Sequence, residues 1–237
     1  MHFNRIFLCF FCFFLILCAC QSTALEDPTA KEPIKAVGNA DFISTLTFLG
    51  DSTTAHMASR ADVLPSQIWA SKSRYLNLSS RITYEKIVCP TNGEEMTIAE
   101  VAKAIKPRQL VITLGIDYGV YYYREDPQTF ALYYEKLLDA IGTASPETTL
   151  ILQAIFPVGR GSTAITNEMV LKANRTIAEI AAKRGLTFVD ATQVLTDSEG
   201  YLREEFCYSE DGIHLTSSAY KAILENLKKY EGEVVKA

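Results

Sequence analysis

The chain has 237 residues, of which 48% are hydrophobic and 22% charged, and its formal net charge is −5. The part after residue 41 is long enough for one domain with a full core. A mildly acidic chain lacks the basic surface that binds nucleic acid or anionic lipid headgroups, so neither is expected as an electrostatic partner.

The N-terminal segment, residues 1–19, has the pattern of a secretory signal. Arg5 is followed by an uncharged apolar run over residues 6–17, which is shorter than the roughly 20 residues of a membrane-spanning helix. The run ends in Leu-Cys-Ala-Cys, which resembles a bacterial lipobox and implies cleavage before a lipidated Cys20. Ordinary secretory cleavage and an uncleaved anchor are the alternatives.

The composition changes directly after this segment. Residues 20–41 are polar, with proline, glycine and several charges but no apolar period, which predicts a flexible tether. Residues 42–237 are the predicted folded domain. We expect an exported, cell-surface lipoprotein that touches the bacterial membrane only through its N-terminal lipid and that is a monomer.

Predicted strands and helices alternate along the domain. Thr45–Gly50 predicts the first strand, Ser52 opens a loop or helix, and the looser alternation of Ile82–Cys89 predicts a second, edge strand. Further strands are predicted at Gln109–Gly115, Thr148–Phe156 and Leu186–Val189, and helices at Thr97–Ile105, Pro127–Gly142, Asn167–Arg184 and Thr216–Tyr230. Such alternation predicts a parallel sheet with helices on both faces.

Polar residues follow several of the predicted strands. Asp51 and Ser52 follow the first strand, Ile116–Tyr118 follow the third, and Pro157 and Val158 follow the fourth. Ligands in open α/β folds bind beyond the carboxyl ends of the strands. We therefore expect these residues to share one rim.

Histidine is the scarcest candidate base, because the chain has only three and His2 lies in the signal. His56 can share a helix face with Ser52 but would have to bend back to reach its hydroxyl. Asp211 lies three residues before His214 and therefore on the same side of a tight turn. It can orient the imidazole, which then takes the serine proton. Alone, Asp-x-x-His can also be a helix cap beside a surface histidine.

Three sequence blocks occur in the order and strand context of a known family. FLGDST at Phe48–Thr53, LGID at Leu114–Asp117 and DGIHLT at Asp211–Thr216 resemble blocks one, three and five of the SGNH/GDSL hydrolases. The segments ITLGIDYG, ILQAIFPV and LKANRTI are similar to a clostridial-type branch of this family.

This resemblance implies a flavodoxin-like three-layer α/β/α sandwich whose five-stranded parallel sheet has the order 2-1-3-4-5. It implies ester or thioester hydrolysis through an acyl-serine, often on acetylated carbohydrate, without a metal or other cofactor. Ser52 is then the nucleophile, His214 the base and Asp211 its orienting partner.

The resemblance implies that the backbone N–H of Ser52 is one donor of the oxyanion hole. The other two family donors are not matched in this sequence. The family's third block carries an asparagine, but this chain has Asp117, and an ionised carboxylate only accepts hydrogen bonds. A lost oxyanion donor costs roughly 100- to 1000-fold in rate. Three outcomes remain open: a weakened enzyme, an Asp117 that stays protonated and donates, or a nearly inactive binding protein.

The family's second block, a glycine whose N–H also serves the oxyanion, has no counterpart at the usual spacing. The spacing leads to Val88–Pro90, where Pro90 has no N–H, so the N–H of Cys89 is the predicted substitute and Gly93 the alternative. Cys89 and Cys207 would then share the catalytic rim, and a disulfide between them would fix the histidine loop. Two separate thiols are the alternative.

Aromatic residues after the third block indicate the substrate. Gly115, Tyr118, Tyr121 and Tyr122 are predicted to contact it, since tyrosine faces suit sugar rings, and Trp69 can do the same; core packing is the alternative. No long apolar stretch indicates a lid for triglycerides, so a short acyl ester, acetyl on carbohydrate in particular, is expected. A glycan-binding protein on a degenerate scaffold and a lysophospholipase or thioesterase are the other candidate functions.

Overall fold

The computed structural model describes residues 41–234, so the predicted signal, Cys20 and nearly all of the predicted tether lie outside the described residues. The strands are β1 (Leu46–Gly50), β2 (Ile68–Trp69), β3 (Lys86–Val88), β4 (Glu95–Thr97), β5 (Gln109–Thr113), β6 (Thr149–Gln153) and β7 (Thr187–Val189). The helices are α1 (Ser52–Arg60), α2 (Ile98–Ile105), α3 (Pro127–Ala144), α4 (Asn167–Arg184), α5 (Thr192–Leu195), α6 (Ser217–Lys228) and α7 (Glu231–Val234).

Five of the strands form one parallel sheet in the order β2-β1-β5-β6-β7. Counted along the chain within this sheet, the order is 2-1-3-4-5, which confirms the predicted three-layer α/β/α architecture. Strands β3 and β4 form a separate antiparallel hairpin. Because the strands are parallel, their carboxyl ends all lie at the same end of the sheet, and that end carries the candidate site.

The predicted position of the second sheet strand is wrong. The segment Ile82–Cys89 contains β3, which pairs with β4 outside the main sheet, whereas Ile68 and Trp69 pair with β1. A strand of two residues is too short to produce a recognisable alternation. The alternation around Ile87 comes from one buried side chain in a hairpin.

The central strands are buried on both faces. Leu49 and Ile112 belong to the apolar cluster that packs against α2, α3 and α4, and Phe48 and Val111 belong to the cluster on the α6 side. Every residue of β5 is buried, which explains its continuous apolar sequence. Trp69 is fully buried in the first cluster, so its suggested contact with substrate is wrong and its core-packing alternative is right.

Several helix ends are capped by side chains or by glycine. Thr97 and Glu100 form the capping box that begins α2. The Thr166 hydroxyl caps α4, which ends at Gly185 in the left-handed conformation. None of the helices within residues 41–234 is both long enough and apolar enough to cross a membrane.

Candidate active site

The carboxyl ends of β1 and β5 bring two polar segments together. Ser52 is the first residue of α1, directly after β1, and Asp117 lies in the loop after β5. The Ser52 hydroxyl donates to Asp117 Oδ1 at 2.7 Å, and the Ser52 N–H donates to Asp117 Oδ2 at 2.9 Å. Asp117 thus accepts hydrogen bonds from both groups that the resemblance assigned to nucleophilic attack and oxyanion binding.

A second carboxylate, that of Asp51, binds the backbone of the loop that carries Asp117. Asp51 Oδ2 accepts the N–H groups of Gly115 and Ile116 at 2.9 Å and that of Asp117 at 3.4 Å. Asp51 is buried, and a side chain on Gly50 would collide with the Thr113 carbonyl, so the ends of β1 and β5 must lie close together. Asp51 therefore fixes the loop that carries Asp117, a role that the sequence analysis did not assign.

The two carboxyl groups influence each other's ionisation. Burial and, next, the Asp117 charge raise the pKa of Asp51 to about 7, even though the three N–H bonds act to lower it. Burial also raises the pKa of Asp117, against the lowering by the Ser52 hydrogen bonds and by His214. One buried and one partly buried carboxyl side by side resist simultaneous ionisation, so the pair retains a proton to higher pH than isolated carboxyls would.

Asp211 and His214 lie together in the loop before α6. His214 Nδ1 is 2.6 Å from Asp211 Oδ2, and Asp211 Oδ1 accepts the N–H groups of Ile213 and His214. Partial burial acts to raise the pKa of Asp211, but these hydrogen bonds hold it well below its usual range. An ionised Asp211 can only accept, so Nδ1 carries the hydrogen and Nε2 is left with a free lone pair.

Backbone contacts hold this loop against a neighbouring segment that follows β6. Gly159 N–H donates to the Gly212 carbonyl at 2.7 Å, and Gly212 has a φ of 66°. A Cβ at Gly161 would clash with the Glu210 carbonyl oxygen. The loop therefore depends on glycine at these positions, because any side chain would push it away.

The serine and histidine halves meet at the same rim. The His56 ring lies edge-on to the His214 ring with centroids 4.7 Å apart, and His214 is close enough to lower the pKa of Asp117. Among the hydrogen bonds of residues 41–234, none joins the Ser52 hydroxyl to an imidazole, because that hydroxyl donates to Asp117.

The predicted role of Cys89 in the oxyanion hole is wrong. Its N–H donates to the Glu94 carbonyl at 2.8 Å, and the N–H of Gly93 donates back to the Cys89 carbonyl, so the hairpin turn uses both groups. Because β2 ends at Trp69, the rim position after the second sheet strand belongs to Ala70 instead.

The predicted disulfide is also absent. Within residues 41–234, Cys89 and Cys207 are both free thiols. Cys89 is buried in the cluster that faces α2 to α4, whereas Cys207 packs against the cluster on the opposite face of the sheet. The sheet between them explains why they do not pair, and the alternative of two separate thiols is right.

The residues proposed to bind substrate differ in their exposure. Gly115 is buried and its N–H is bonded to Asp51. Tyr118 stacks on Tyr122 at 4.0 Å and Tyr121 lies edge-on to Tyr122, and the side chains of Tyr121 and Tyr122 are 43% and 56% exposed. An aromatic stack with open faces therefore stands next to Asp117. Across residues 41–234, no group of three or more His, Cys, Asp or Glu side chains is arranged to hold a metal ion.

Comparison with known proteins gives one family match. The sequence model of the GDSL-like Lipase/Acylhydrolase family matches residues 48–222. No curated protein sequence shows significant similarity to this chain.

Solved structures of the same fold come from several organisms. A GDSL-like lipase from Bacteroides thetaiotaomicron is 15% identical with a TM-score of 0.52, over 79% of this chain and 87% of that one. A carbohydrate esterase family 3 protein from Talaromyces cellulolyticus is 15% identical with a TM-score of 0.51, over 81% and 97%. An acetyl esterase mutant solved with an acetate ion is 16% identical with a TM-score of 0.51, over 81% and 97%. At these identities the likeness shows the fold.

Proposed function

Because the chain belongs to the GDSL-like lipase/acylhydrolase family and is thus a carboxylic ester hydrolase, we propose that it cleaves short acyl esters through an acyl-Ser52 intermediate. The observation that supports the proposal is the contact between His56, one turn after Ser52 on α1, and the ring of His214, which is itself paired with Asp211. Acetyl esters of carbohydrate are the proposed substrates.

The proposed reaction uses His214 as a proton carrier. His214 Nε2 takes the Ser52 proton while the serine oxygen attacks the ester carbonyl, and Asp211 stabilises the resulting imidazolium. The imidazolium then protonates the departing alkoxide, which leaves as an alcohol. In the second half, water gives its proton to His214 and attacks the acyl-serine, and Ser52 leaves with that proton as the carboxylic acid is released.

Asp117 decides how fast this sequence can run. It must release the Ser52 hydroxyl before His214 can take the proton, and it must also release the Ser52 N–H that would bind the oxyanion. An ionised Asp117 repels the negative charge that develops on the carbonyl oxygen, whereas a protonated one can donate to it. We therefore propose a weak esterase whose rate is limited by the ionised form of Asp117.

Two observations support a carbohydrate ester as substrate, and a further proposal is consistent with it. The exposed Tyr121 and Tyr122 faces lie beside the site, and aromatic faces of this kind pack well against sugar rings. One of the proteins with this fold is a carbohydrate esterase. Export and lipidation at Cys20, which we also propose from the N-terminal sequence, would present the site to extracellular polysaccharide.

Purified protein assayed with p-nitrophenyl acetate, p-nitrophenyl octanoate and an acetylated oligosaccharide tests this function. We expect faster turnover of the two acetyl substrates than of the octanoyl ester. Turnover of all three should be lost in Ser52→Ala. Ser59→Ala, an exposed serine of the same helix, is the matched control and should keep wild-type turnover. Undiminished turnover in Ser52→Ala would refute the proposed nucleophile, and a preference for octanoate would favour the lysophospholipase or thioesterase reading.

A second candidate function is a cell-surface glycan-binding protein. It is favoured by one observation, the capture of both Ser52 donors by Asp117. This reading predicts saturable binding of oligosaccharide without turnover in the wild type and in Asp117→Asn alike. Ester turnover by the Asp117→Asn variant would favour the hydrolase over the glycan-binding protein.

A further inference from the structure

One face of α1 joins the serine to the histidine loop. Ser52, His56 and Arg60 are spaced four residues apart, so their side chains lie along the same side of this helix. Ser52 contacts Asp117 at the start of the helix. The other two residues contact the segment 207–215, which contains His214.

His56 packs directly against the candidate base. Its ring lies edge-on to the His214 ring at 4.7 Å, with an interplanar angle of 72°. Its Nδ1 is buried without a hydrogen-bond partner within the described residues. Burial, followed by the charges of Arg60 and His214, lowers the pKa of His56 to about 4, so the ring is neutral near pH 7.

Arg60 binds the same segment one turn further along the helix. Its guanidinium donates to the Leu215 carbonyl at 3.2 Å and lies 3.4 Å from the centre of the Tyr208 ring. The Tyr208 N–H in turn donates to the His214 carbonyl at 2.7 Å. Arg60 therefore contacts the residue after His214 and the residue bonded to its carbonyl.

We propose that His56 and Arg60 are positioning residues that hold the His214 imidazole in reach of Ser52, an inference that rests on the proposed function. His56 blocks rotation of the ring away from the rim, and Arg60 fixes the backbone that carries it. His56 does not serve as a second base, because a group so hard to protonate is a poor proton acceptor near neutral pH. Its ring shape, and not its nitrogen, is what matters.

The contacts matter because His214 has little else to restrain its ring. Its side chain is 29% exposed and, in the described part of the chain, makes one side-chain hydrogen bond, to Asp211. A displacement of about 1 Å between reacting groups can lower a rate by roughly 100-fold. Removal of either contact should therefore lower kcat while substrate binding changes little.

The experiment compares kcat and KM for His56→Ala, His56→Phe, Arg60→Ala and the control Ser59→Ala. We expect His56→Ala and Arg60→Ala to lower kcat by about 10- to 100-fold with KM within about twofold. His56→Phe should recover most of the lost kcat, because phenylalanine keeps the ring without the nitrogen. Wild-type kcat in His56→Ala, or an equal loss in His56→Phe and His56→Ala, would overturn the inference.

A second measurement separates this inference from the proposed function. The short bond from His214 Nδ1 to Asp211 should give a far-downfield proton resonance in the NMR spectrum of the wild type. We expect this resonance to weaken in His56→Ala and Arg60→Ala but to persist in His56→Phe and Ser59→Ala. Its persistence in all four variants would refute the positioning roles even if the protein turned over no ester. Loss of activity in Ser52→Ala tests the proposed function independently.

Discussion

The two halves of the candidate site are built in different ways. Ser52 is 3% exposed and is linked, through Asp51 and Asp117, to the ends of two central strands. The Asp211 and His214 side chains are 41% and 29% exposed and lie in a loop. Strands position the serine, while local hydrogen bonds, glycine contacts and α1 position the histidine. The serine half should therefore respond to changes of charge, and the histidine half to changes of loop packing.

The largest effect should follow from breaking the histidine half itself. His214→Gln removes the imidazole that is proposed to take the Ser52 proton, so kcat/KM should fall by at least about a thousandfold. The fold should survive, because the side chain is partly exposed and outside the core. Ester assays combined with thermal melts measure both quantities. A variant that keeps a tenth of the wild-type rate would exclude His214 as the base.

A charge change should act on the serine half in the opposite direction. Asp117→Asn replaces an acceptor by a group that can donate to the oxyanion, so kcat should rise by about 10- to 100-fold. Burial raises the pKa of Asp117, so its ionisation continues to higher pH than in a free aspartate. The ratio of variant to wild-type rates should therefore grow as the pH rises and more of the wild type carries an ionised Asp117. Rates measured from pH 5 to pH 8 test this. A tenfold fall in Asp117→Asn would show that the carboxyl has a positive role.

A change of loop packing should impair the histidine half more mildly. A Cβ at Gly161 would clash with the Glu210 carbonyl and shift the loop, so Gly161→Ala should lower kcat by about tenfold. Gly142→Ala is the matched control, because a Cβ in that part of α3 meets nothing within 4 Å. The control should keep wild-type kcat and gain about 0.5–1 kcal/mol of stability. Equal rates in both variants would contradict the role assigned to the loop contacts.

The smallest expected effect is on the stability of the protein in acid, through His56, which lies between the serine and histidine halves. Burial lowers the pKa of His56 to about 4 from 6.5, so the unfolded state binds a proton more readily than the folded state. The contribution of the neutral His56 side chain to the free energy of unfolding is therefore present above pH 6.5 and is lost as the pH falls towards 4. His56→Phe cannot bind this proton, so its melting temperature should fall less than that of the wild type over this range. An equal fall in melting temperature in the two proteins would refute the neutral state assigned to the partly buried His56.

Much of the fold could be predicted from the sequence, because its signals are local. The run Gln109–Thr113 is apolar throughout since both faces of β5 are covered, and Thr97 and Gly185 mark helix ends by their own chemistry. The second sheet strand could not be predicted, because Ile68 and Trp69 are too few to show a period. The predicted position of Cys89 on the rim came from the family's usual block spacing, which failed because the second sheet strand ends at Trp69, well before Cys89.

In the candidate site, too, local contacts could be predicted from the sequence and long-range contacts could not. Asp211 and His214 are three residues apart, so a turn alone brings them together and the sequence pattern indicates the pair. The bonds of Asp51 to Gly115 and of Asp117 to Ser52 cross more than sixty residues. They depend on how the ends of β1 and β5 meet and on side-chain orientation, neither of which a sequence pattern specifies.

Covalent labelling with a fluorophosphonate ester tests the central claim most directly, because it requires a serine activated by a nearby base. Intact-mass and peptide-mass measurements should show one phosphonyl group, on Ser52, in the wild type. The label should be absent from Ser52→Ala and at least about a hundredfold slower in His214→Gln. Labelling of another residue, or an undiminished rate in His214→Gln, would contradict the account.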